Sequence, residues 1–512
     1  MPRFSPATAL LAAALALFAG CSPAWAQPAE HRSSSQAPAQ SPPPSTETPL
    51  PADVVTTHSV KLAGGELAYA ATAGALQLSN EKGERTAEIF FVAYTKNGAA
   101  PERRPITFVF NGGPGAGSAY LHVGAIGPRV LDYGAGREPP FTSGRIIDNP
   151  DTWLDETDLV FIDPVGTGYS RSKLTPEETR KEFWGVKQDL DSLGQIMRLA
   201  LAHLERFASP VYLAGESYGG FRAARLPRQL GAQQGIVVHG ATLISPVLDM
   251  SLIGRDPLNP MPWALRLPSY AAVALEAEGK LSPANLKEAE HYALGDYITT
   301  LVSPPADAAA ADRFYATVAG MIGLPEPLVA RWHGKVPLGV FVKELRHGDD
   351  AVVSRYDGTV ASADPYPSWY LGGDGDPILA GINAPLTSGF VAYLRDELKY
   401  KTDRNYLLLN YEVGRRWDWH TGGGDDSDHA SAGDDLREGL ALDPRLRVLI
   451  AHGMTDLQTP YLTSRYVLEQ LPPAVTRDRV TLKLYPGGHM MYLRPASRAA
   501  LHGDSRAVYG AE

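Results

Sequence analysis

The sequence predicts an α/β fold: a mixed, mostly parallel β-sheet interrupted late in the chain by a block of helices. Three observations predict it. β-Rich runs come first, apolar strands then alternate with helical stretches, and a long helical block precedes two late strands. Strand, helix, strand in this order implies parallel strands joined by right-handed crossovers. A chain of 512 residues is long enough to bury one large core with an insertion.

The first part of the predicted core covers residues 55–254. The runs HSVKL, ELAYAATAG, TAEIFFVAYT and PITFVF are separated by turn signals such as Asn97-Gly98, which indicates an antiparallel start. Buried-type strands follow at 158–166, 210–215 and 241–248, with helical patterns between them at 183–204 and 218–230.

The strand patterns stop at about residue 255, and we interpret residues 255–360 as a helical cap inserted into the sheet. Ser282 and Asp307 have the character of helix-capping residues there. Residues 361–512 are expected to complete the cap and to return to the sheet, with strands at 447–453 and 480–487.

The N-terminal segment has the pattern of an export signal. A short positive region, an apolar run and an Ala-Trp-Ala site ending at Ala26 predict that residues 1–26 are a signal peptide. A second interpretation places a lipid anchor on Cys21, the single cysteine, because residues 18–21 resemble a lipoprotein signal. Both predict export, to the periplasm or cell envelope of a bacterium or beyond the cell. Residues 27–54, rich in Pro, Ser and Gln, are expected to be a disordered linker.

Charge and hydropathy exclude some partners. The net charge is −10 and no basic run is present, which argues against nucleic acid. Beyond the signal no run of about 18 or more apolar residues occurs, so no transmembrane span is predicted. The sequence leaves the oligomeric state open.

The most informative motif is Gly215-Glu216-Ser217-Tyr218-Gly219, which fits G-x-S-x-G between a strand and a helix. Glycines allow a tight turn at such a junction, and the turn exposes the serine hydroxyl at the carboxyl edge of the sheet. A turn of small residues without chemistry is the alternative. The strand–helix setting favours Ser217 as the nucleophile of an α/β-hydrolase fold.

A serine hydroxyl needs a base within hydrogen-bonding reach. This fold places the acid and then the histidine on loops after late strands, and Asp456 and His489 each follow one of the two late strands. His452 precedes the acid and is interpreted as structural, whereas His420 and His429 lie in a loop and are expected to be solvated.

A glycine-rich loop at 111–118 directly follows the strand PITFVF. In this fold that loop supplies one N–H group to the oxyanion hole, and the residue after the nucleophile supplies the second. Phosphate binding is the alternative, but the spacing fits neither a P-loop nor a dinucleotide fingerprint. The acidic stretch at 422–435 matches neither an EF-hand loop nor a zinc site, so no metal is expected.

Taken together these motifs resemble the serine carboxypeptidase family, peptidase family S10, and a bacterial member of it. The motifs occur in the family's order over roughly residues 105–495: NGGPG, FIDPVGTGYS, GESYGG, the Asp456 loop and GGHM. The resemblance implies release of C-terminal residues from peptides, best at acidic pH, through an acyl-enzyme and without a cofactor.

The resemblance also implies roles for individual residues. Ser217, Asp456 and His489 would be the triad, Gly113 and Tyr218 would form the oxyanion hole, and Asn111, Gly112 and Glu216 would bind the substrate's terminal carboxylate. An ionised Glu216 would repel that carboxylate, so it must be protonated to donate a hydrogen bond.

The chain departs from the family at Ala125. Eukaryotic members have a second glutamate two residues before the Gly-Pro that follows the NGGPG loop, and here Ala125 stands in its place. A lone Glu216 lacks the like charge that would raise its pKa. We therefore expect a higher pH optimum or a weaker demand for a free C-terminus.

Two other functions are considered. An esterase or acyltransferase would use the same triad, since this fold hosts many acyl chemistries. A catalytically idle envelope-binding protein is disfavoured, because the serine, aspartate, histidine and oxyanion loop are all present.

Overall fold

The structure is a computed structural model that describes residues 48–132, 144–254, 256–368, 375–420 and 430–510. All of these belong to one compact unit that extends from Pro43 to Glu512. The predicted signal peptide (1–26), the lipid anchor on Cys21 and most of the predicted linker therefore lie outside the described residues.

The described residues contain the following strands: β1 (Val54–Leu62), β2 (Gly65–Ser79), β3 (Arg85–Lys96), β4 (Ile106–Phe110), β5 (Arg129–Leu131), β6 (Ile146–Asp148), β7 (Asp158–Ile162), β8 (Arg171–Ser172), β9 (Val211–Glu216), β10 (Val238–Ile244), β11 (Ala351–Val353), β12 (Ala361–Ala363), β13 (Arg447–Gly453) and β14 (Val480–Tyr485). The main sheet has the order β1-β2-β3-β7-β4-β9-β10-β13-β14, with β8 paired to β3. β1, β2, β3 and β7 pair antiparallel, and from β7 to β14 all pairs are parallel. The predicted mixed, mostly parallel sheet with an antiparallel start is confirmed.

The described helices are α1 (Ala119–Leu121), α2 (Pro176–Phe183), α3 (Val186–His203), α4 (Tyr218–Gln234), α5 (Met261–Ala277), α6 (Pro283–Tyr292), α7 (Ile298–Val302), α8 (Ala308–Ile322), α9 (Glu326–Arg331), α10 (Leu338–Glu344), α11 (Pro377–Asp396), α12 (Tyr411–Arg415), α13 (Gly433–Leu442), α14 (Tyr461–Glu469), α15 (Pro473–Thr476) and α16 (Pro495–Tyr509). A π-helical turn, His122–Ile126, follows α1, and a 3₁₀ turn, Met491–Leu493, precedes α16.

The centre of the sheet is buried on both faces. β4, β7 and β9 are buried along their whole length, as parallel strands covered by helices are expected to be. Alternate residues of β3 enter two different apolar clusters: Ile89, Phe91 and Ala93 one, and Phe90, Val92 and Tyr94 the other. The segments that carry Asn111, Ser217 and Asp456 follow the carboxyl ends of β4, β9 and β13.

A mainly helical segment separates β10 from β13. Helices α5 to α10 contribute to a third apolar cluster, which includes Trp263, Val318 and Phe341. The side chains of Ser282 and Asp307 cap α6 and α8 by accepting hydrogen bonds from backbone N–H groups, as their positions in the sequence predict.

The expectation that strands are absent from 255–360 is wrong in one place. β11 and β12 form an antiparallel hairpin at the end of this segment. Val352 and Val353 favour a strand, and the turn signal Asp357-Gly358 lies in the loop between the two strands. The hairpin was missed because β11 and β12 are only three residues long.

One described helix, α11, is long and apolar enough to cross a membrane by length and composition alone. It is half buried in the structure, and Leu386 and Phe390 lie in the apolar cluster that also contains Phe90. A core helix of a folded domain passes the same test, so α11 is weak evidence for a membrane span.

The third apolar cluster gives a test of the packing in the segment between β10 and β13. Phe341 is fully buried and its ring stacks on Tyr270 with 3.9 Å between ring centroids. We expect Phe341→Ala to lower the free energy of unfolding by about 3–5 kcal/mol, because it leaves a cavity. Phe207, which is 57% exposed, provides the matched control: Phe207→Ala should change it by less than about 0.5 kcal/mol. Urea unfolding measures both, and equal losses would contradict the packing described here.

Candidate active site

Ser217 lies on a strained turn between β9 and α4, with φ 60° and ψ −122°. A non-glycine residue holds such a conformation only where its surroundings enforce it. Here the N–H of Ser217 donates to Ile244 at 2.9 Å, and its carbonyl accepts from Gly220 at 2.9 Å. A Cβ on Gly215 would lie 2.0 Å from the carbonyl oxygen of Gly219. The glycines of the motif are thus required by the backbone contact that forms the turn.

The loop after β4 lies directly against this turn. A Cβ on Gly112 would be 2.5 Å from the backbone nitrogen of Tyr218 and 2.7 Å from the carbonyl oxygen of Glu216. The N–H groups of Gly113 and Tyr218 donate no hydrogen bond to any described residue. Two backbone donors on adjoining turns therefore remain available to a ligand, as an oxyanion hole requires.

A buried ion pair fixes the start of this loop. The Arg222 guanidinium donates to both carboxylate oxygens of Asp189, at 2.7 and 2.8 Å, and its third contact is the carbonyl of Asn111 at 2.5 Å. Arg222 is 1% exposed. Bidentate geometry with a further hydrogen bond offsets part of the cost of burying the two charges. The pair links α3, α4 and the loop after β4.

The far end of the loop is fixed from two other directions. Asp163 accepts hydrogen bonds from the N–H and hydroxyl of Ser118, at 2.7 and 2.8 Å. The segment 406–410 runs alongside: Gly117 donates to Leu408 at 2.9 Å, and Asn410 donates to Gly115 at 2.8 Å. We call residues 406–410 the strap.

His489 and Asp456 meet at the ends of β14 and β13. The Nδ1 atom of His489 is 2.8 Å from Oδ2 of Asp456. Oδ1 of Asp456 accepts the N–H groups of Gln458 and Thr459 at 2.8 and 2.9 Å, and the Thr459 hydroxyl is 2.8 Å from Oδ2 and 3.0 Å from the imidazole. Asp456 is fully buried, and each of its oxygens has a donor. The carboxylate therefore holds the imidazole in one orientation.

The charge of Asp456 also acts on the acidity of His489. Burial by itself lowers the pKa of His489, but the charge and hydrogen bond of Asp456, together with the charge of Glu216, raise its pKa above the ordinary value. The imidazolium form is thus favoured when His489 accepts a proton.

Glu216 is buried beside Ser217. Its Oε1 accepts the hydroxyl of Tyr492 at 2.7 Å, and its Oε2 accepts the amide N–H of Asn111. Burial raises the pKa of Glu216, although the charge of His489 and these two hydrogen bonds oppose it. From the sequence, Glu216 lacks the second glutamate whose like charge would raise its pKa. The structure instead attributes the raised pKa to desolvation, which sequence reasoning left out.

One cavity of about 90 Å³ joins these groups. It is lined by Gly112, Gly113, Ala116, Tyr120, Glu216, Ser217, Tyr356, Leu379, Leu409, Gln458, His489 and Met490. Asp456 lies behind His489, and Asn111 lies behind Glu216. Ser217 and His489 share the cavity, but no hydrogen bond joins these two described side chains. Such hydrogen bonds often form only when substrate binds.

Three residues near the cavity were not singled out from the sequence. Tyr356 stands on the hairpin loop with its ring 5.4 Å from that of His489, and its carbonyl accepts the N–H of His489. Thr459 contacts both His489 and Asp456, and Tyr492 contacts Glu216. The Asp-Gly signal after Tyr356 and the preceding pair of valines were the available indications of the hairpin.

The remaining candidates lie elsewhere. His452 is buried and 2.8 Å from the hydroxyl of Ser464, which agrees with a structural role, and the exposed His420 contacts Asp418 at 2.5 Å. His429 lies outside the described residues. Of the acidic stretch 422–435, Asp435 pairs with arginines of α4, and no group of three or more His, Cys, Asp and Glu in the described ranges is arranged to hold a metal.

The close approach of Gly112 to Tyr218 gives a direct test. We expect Gly112→Ala to slow covalent labelling of Ser217 by a fluorophosphonate roughly 10²-fold, because the added Cβ must displace an oxyanion N–H group. Gly339→Ala is the control, since a Cβ there meets nothing within 4 Å. Unchanged labelling of the Gly112 variant would refute the proposed donor position.

Part of the chain is similar in sequence to known serine carboxypeptidases. A family model described as serine carboxypeptidase matches residues 66–237, which include the loop after β4 and the turn at Ser217 but neither Asp456 nor His489. "Serine carboxypeptidase-like 13" of Arabidopsis thaliana is 26% identical over 171 residues, 33% of this chain and 38% of that protein. "Retinoid-inducible serine carboxypeptidase" of Rattus norvegicus is 32% identical over 159 residues, 28% of this chain and 30% of that protein. The chain spans about a third of the length of the curated relatives it matches.

Solved structures support the fold. The crystal structure of Kex1(delta)p, a prohormone-processing carboxypeptidase from Saccharomyces cerevisiae, aligns with a TM-score of 0.52 and 16% identity. The alignment covers 85% of this chain and 91% of that one. The fold is that of an α/β-hydrolase, and the chain is similar in sequence to serine carboxypeptidases of peptidase family S10 over residues 66–237.

Proposed function

We propose that this chain is an exported serine carboxypeptidase that releases C-terminal residues from peptides through an acyl-enzyme. The observation that carries the proposal is one cavity that brings together a serine on a strained turn, a histidine bonded to a buried aspartate, and a buried glutamate. The serine and the histidine–aspartate pair are the nucleophile and the base that acyl transfer needs. The buried glutamate can bind a terminal carboxylate when it is protonated.

In the proposed reaction His489 removes the proton from Ser217, and the serine oxygen attacks the scissile carbonyl carbon. The N–H groups of Gly113 and Tyr218 bind the oxyanion that forms. His489 then donates the proton to the leaving nitrogen, the C–N bond breaks, and an acyl-serine ester remains. Water, deprotonated by His489, attacks this ester and releases the acid and the free serine. These steps use only groups of the chain and water.

Glu216, with Asn111 and Gly112, is proposed to bind the terminal carboxylate of the peptide. A protonated Glu216 can donate a hydrogen bond to that carboxylate, whereas an ionised one would repel it. Burial favours the protonated form. Binding of peptide acids should therefore weaken as the pH rises through the pKa of Glu216. Ala125 removes one cause of a raised pKa while burial retains another, and the prediction of a higher pH optimum remains to be tested.

The cellular setting belongs to the same proposal. We propose a bacterial protein exported through residues 1–26, either released after Ala26 or anchored by a lipid on Cys21. Peptides that reach the envelope would be its substrates.

An esterase or acyltransferase is the alternative, because the same cavity can take an acyl group from an ester. The specific observation in its favour is Ala125 where the family's eukaryotic members have a second glutamate.

Comparison of three substrates separates these functions. We expect a blocked dipeptide acid to be cleaved with a kcat/KM at least about tenfold above that of the matched dipeptide amide, because a hydrogen bond to a charged group contributes on the order of 1.5–3 kcal/mol. The matched methyl ester lacks a free carboxylate, so its rate of cleavage measures acyl transfer without carboxylate binding. A peptide-library digest read by mass spectrometry should show stepwise loss of C-terminal residues, with Ser217→Ala inactive. Cleavage of the ester alone would instead establish the esterase.

The acid of the triad has its own test. We expect Asp456→Asn to lower kcat on the order of 10⁴-fold, because the asparagine no longer fixes the imidazole tautomer or stabilises the imidazolium. Asp434→Asn, whose side chain is 83% exposed on α13, is the control and should retain activity. A kcat within tenfold of the unmodified enzyme would remove Asp456 from the triad. Equal urea midpoints for the two variants would exclude loss of folding as the cause.

A further inference from the structure

Glu216 is held by one neutral donor on each carboxylate oxygen. Tyr492 donates to Oε1 at 2.7 Å, and Asn111 donates to Oε2. All three side chains are buried. Asn111 comes from the loop after β4, while Tyr492 comes from the 3₁₀ turn that follows His489. Elements from the two ends of the folded chain therefore meet on a single carboxyl group.

The turn that carries Tyr492 packs against the π-helical turn that carries Ala125. Tyr492 and Ala125 belong to the same apolar cluster and are both buried. In this cluster the phenol of Tyr492 bonds to Glu216, whereas residue 125 contributes only the methyl group of an alanine.

We propose that Tyr492 is a positioning residue that orients Glu216 toward the terminal carboxylate of the substrate, in a site that lacks a second acidic partner. The inference rests on the proposed function, because it assigns Tyr492 a part in binding a peptide acid.

The chemistry of a phenol differs from that of a second carboxyl group. Two carboxyl groups share a proton and titrate as a pair, so that each one's ionisation depends on the other. A phenol remains neutral over the whole range in which carboxyl groups titrate, and it can donate and accept at the same time. Tyr492 can therefore donate to Oε1 both when the glutamate is ionised and when it is protonated on Oε2, and the O–H of the protonated form stays available to the substrate.

Several titratable groups face Glu216. His489 and Asp456 act on it through their charges, and Tyr120 and Tyr356 lie close enough to interact with it. The hydrogen bond from Tyr492 lowers the pKa of Glu216 and so opposes the effect of burial. Removal of the hydroxyl removes a donor from the carboxylate form, which must raise this pKa.

The test is the pH dependence of KM for a blocked dipeptide acid, with the matched methyl ester measured in parallel. For the unmodified enzyme KM for the acid should rise with pH as Glu216 ionises. In Tyr492→Phe we expect the inflection to move up by roughly 0.5–1 pH unit, the equivalent of one neutral hydrogen bond. Both kcat and the kinetics of the ester should stay within about twofold, because the phenol does not contact the reacting atoms.

Tyr461→Phe is the matched control. Tyr461 is also buried and donates at 2.8 Å to a glutamate, Glu290, which does not line the cavity. This variant should keep the inflection of the unmodified enzyme. If Tyr492→Phe does not fold, 3-fluorotyrosine at position 492 retains the hydrogen bond with a more acidic phenol and should move the inflection to lower pH.

The outcomes separate the two proposals. An unmodified enzyme that prefers the acid, with the same inflection in Tyr492→Phe, overturns the role of Tyr492 and leaves the carboxypeptidase intact. Equal changes for acid and ester would show that Tyr492 only supports the fold. An unmodified enzyme that does not prefer the acid overturns both proposals.

Discussion

The structure depends on one contact in which backbone meets backbone without side chains between. The loop after β4 lies on the turn between β9 and α4, and Gly112 and Gly215 leave no space there for a Cβ. This contact sets the distance between the two strand ends. It brings Gly113 and Glu216 to the cavity that Ser217 lines, and the N–H group of Tyr218 follows Ser217 directly in the chain. Preorganised donors of this kind need no rearrangement when charge develops.

Buried charges keep that contact in place. Arg222 and Asp189 hold the start of the loop, and Asp163 holds its far end through Ser118. Asp456 does the same for the histidine loop. Burying such groups is costly, and it is tolerated where each one is bonded to polar partners. Buried ion pairs also occur away from the site, as between Arg206 and Asp158, whereas the cluster around Phe341 consists of apolar side chains.

The sequence predicted the sheet and the positions of Ser217, Asp456 and His489 because these features have strong local requirements. A G-x-S-x-G turn needs a strand before it and a helix after it, and both patterns are visible in the residues themselves. Tyr492 and Tyr356 carried no such local signal. Their place depends on how distant elements pack, which periodicity does not encode. Desolvation of Glu216 was missed for the same reason, since burial is a property of the whole fold. The short hairpin β11–β12 fell below the length at which alternation can be recognised.

The strap has a consequence for how the protein is made. Residues 406–410 hold the loop after β4, although almost 300 positions separate them along the polypeptide. During synthesis the strands up to β10 emerge long before the strap. The glycine-rich loop therefore lacks its final hydrogen bonds while the helical segment after β10 is translated. A nascent chain halted before residue 406 would contain the serine turn and the glycine-rich loop but would lack the strap that bonds Gly115 and Gly117.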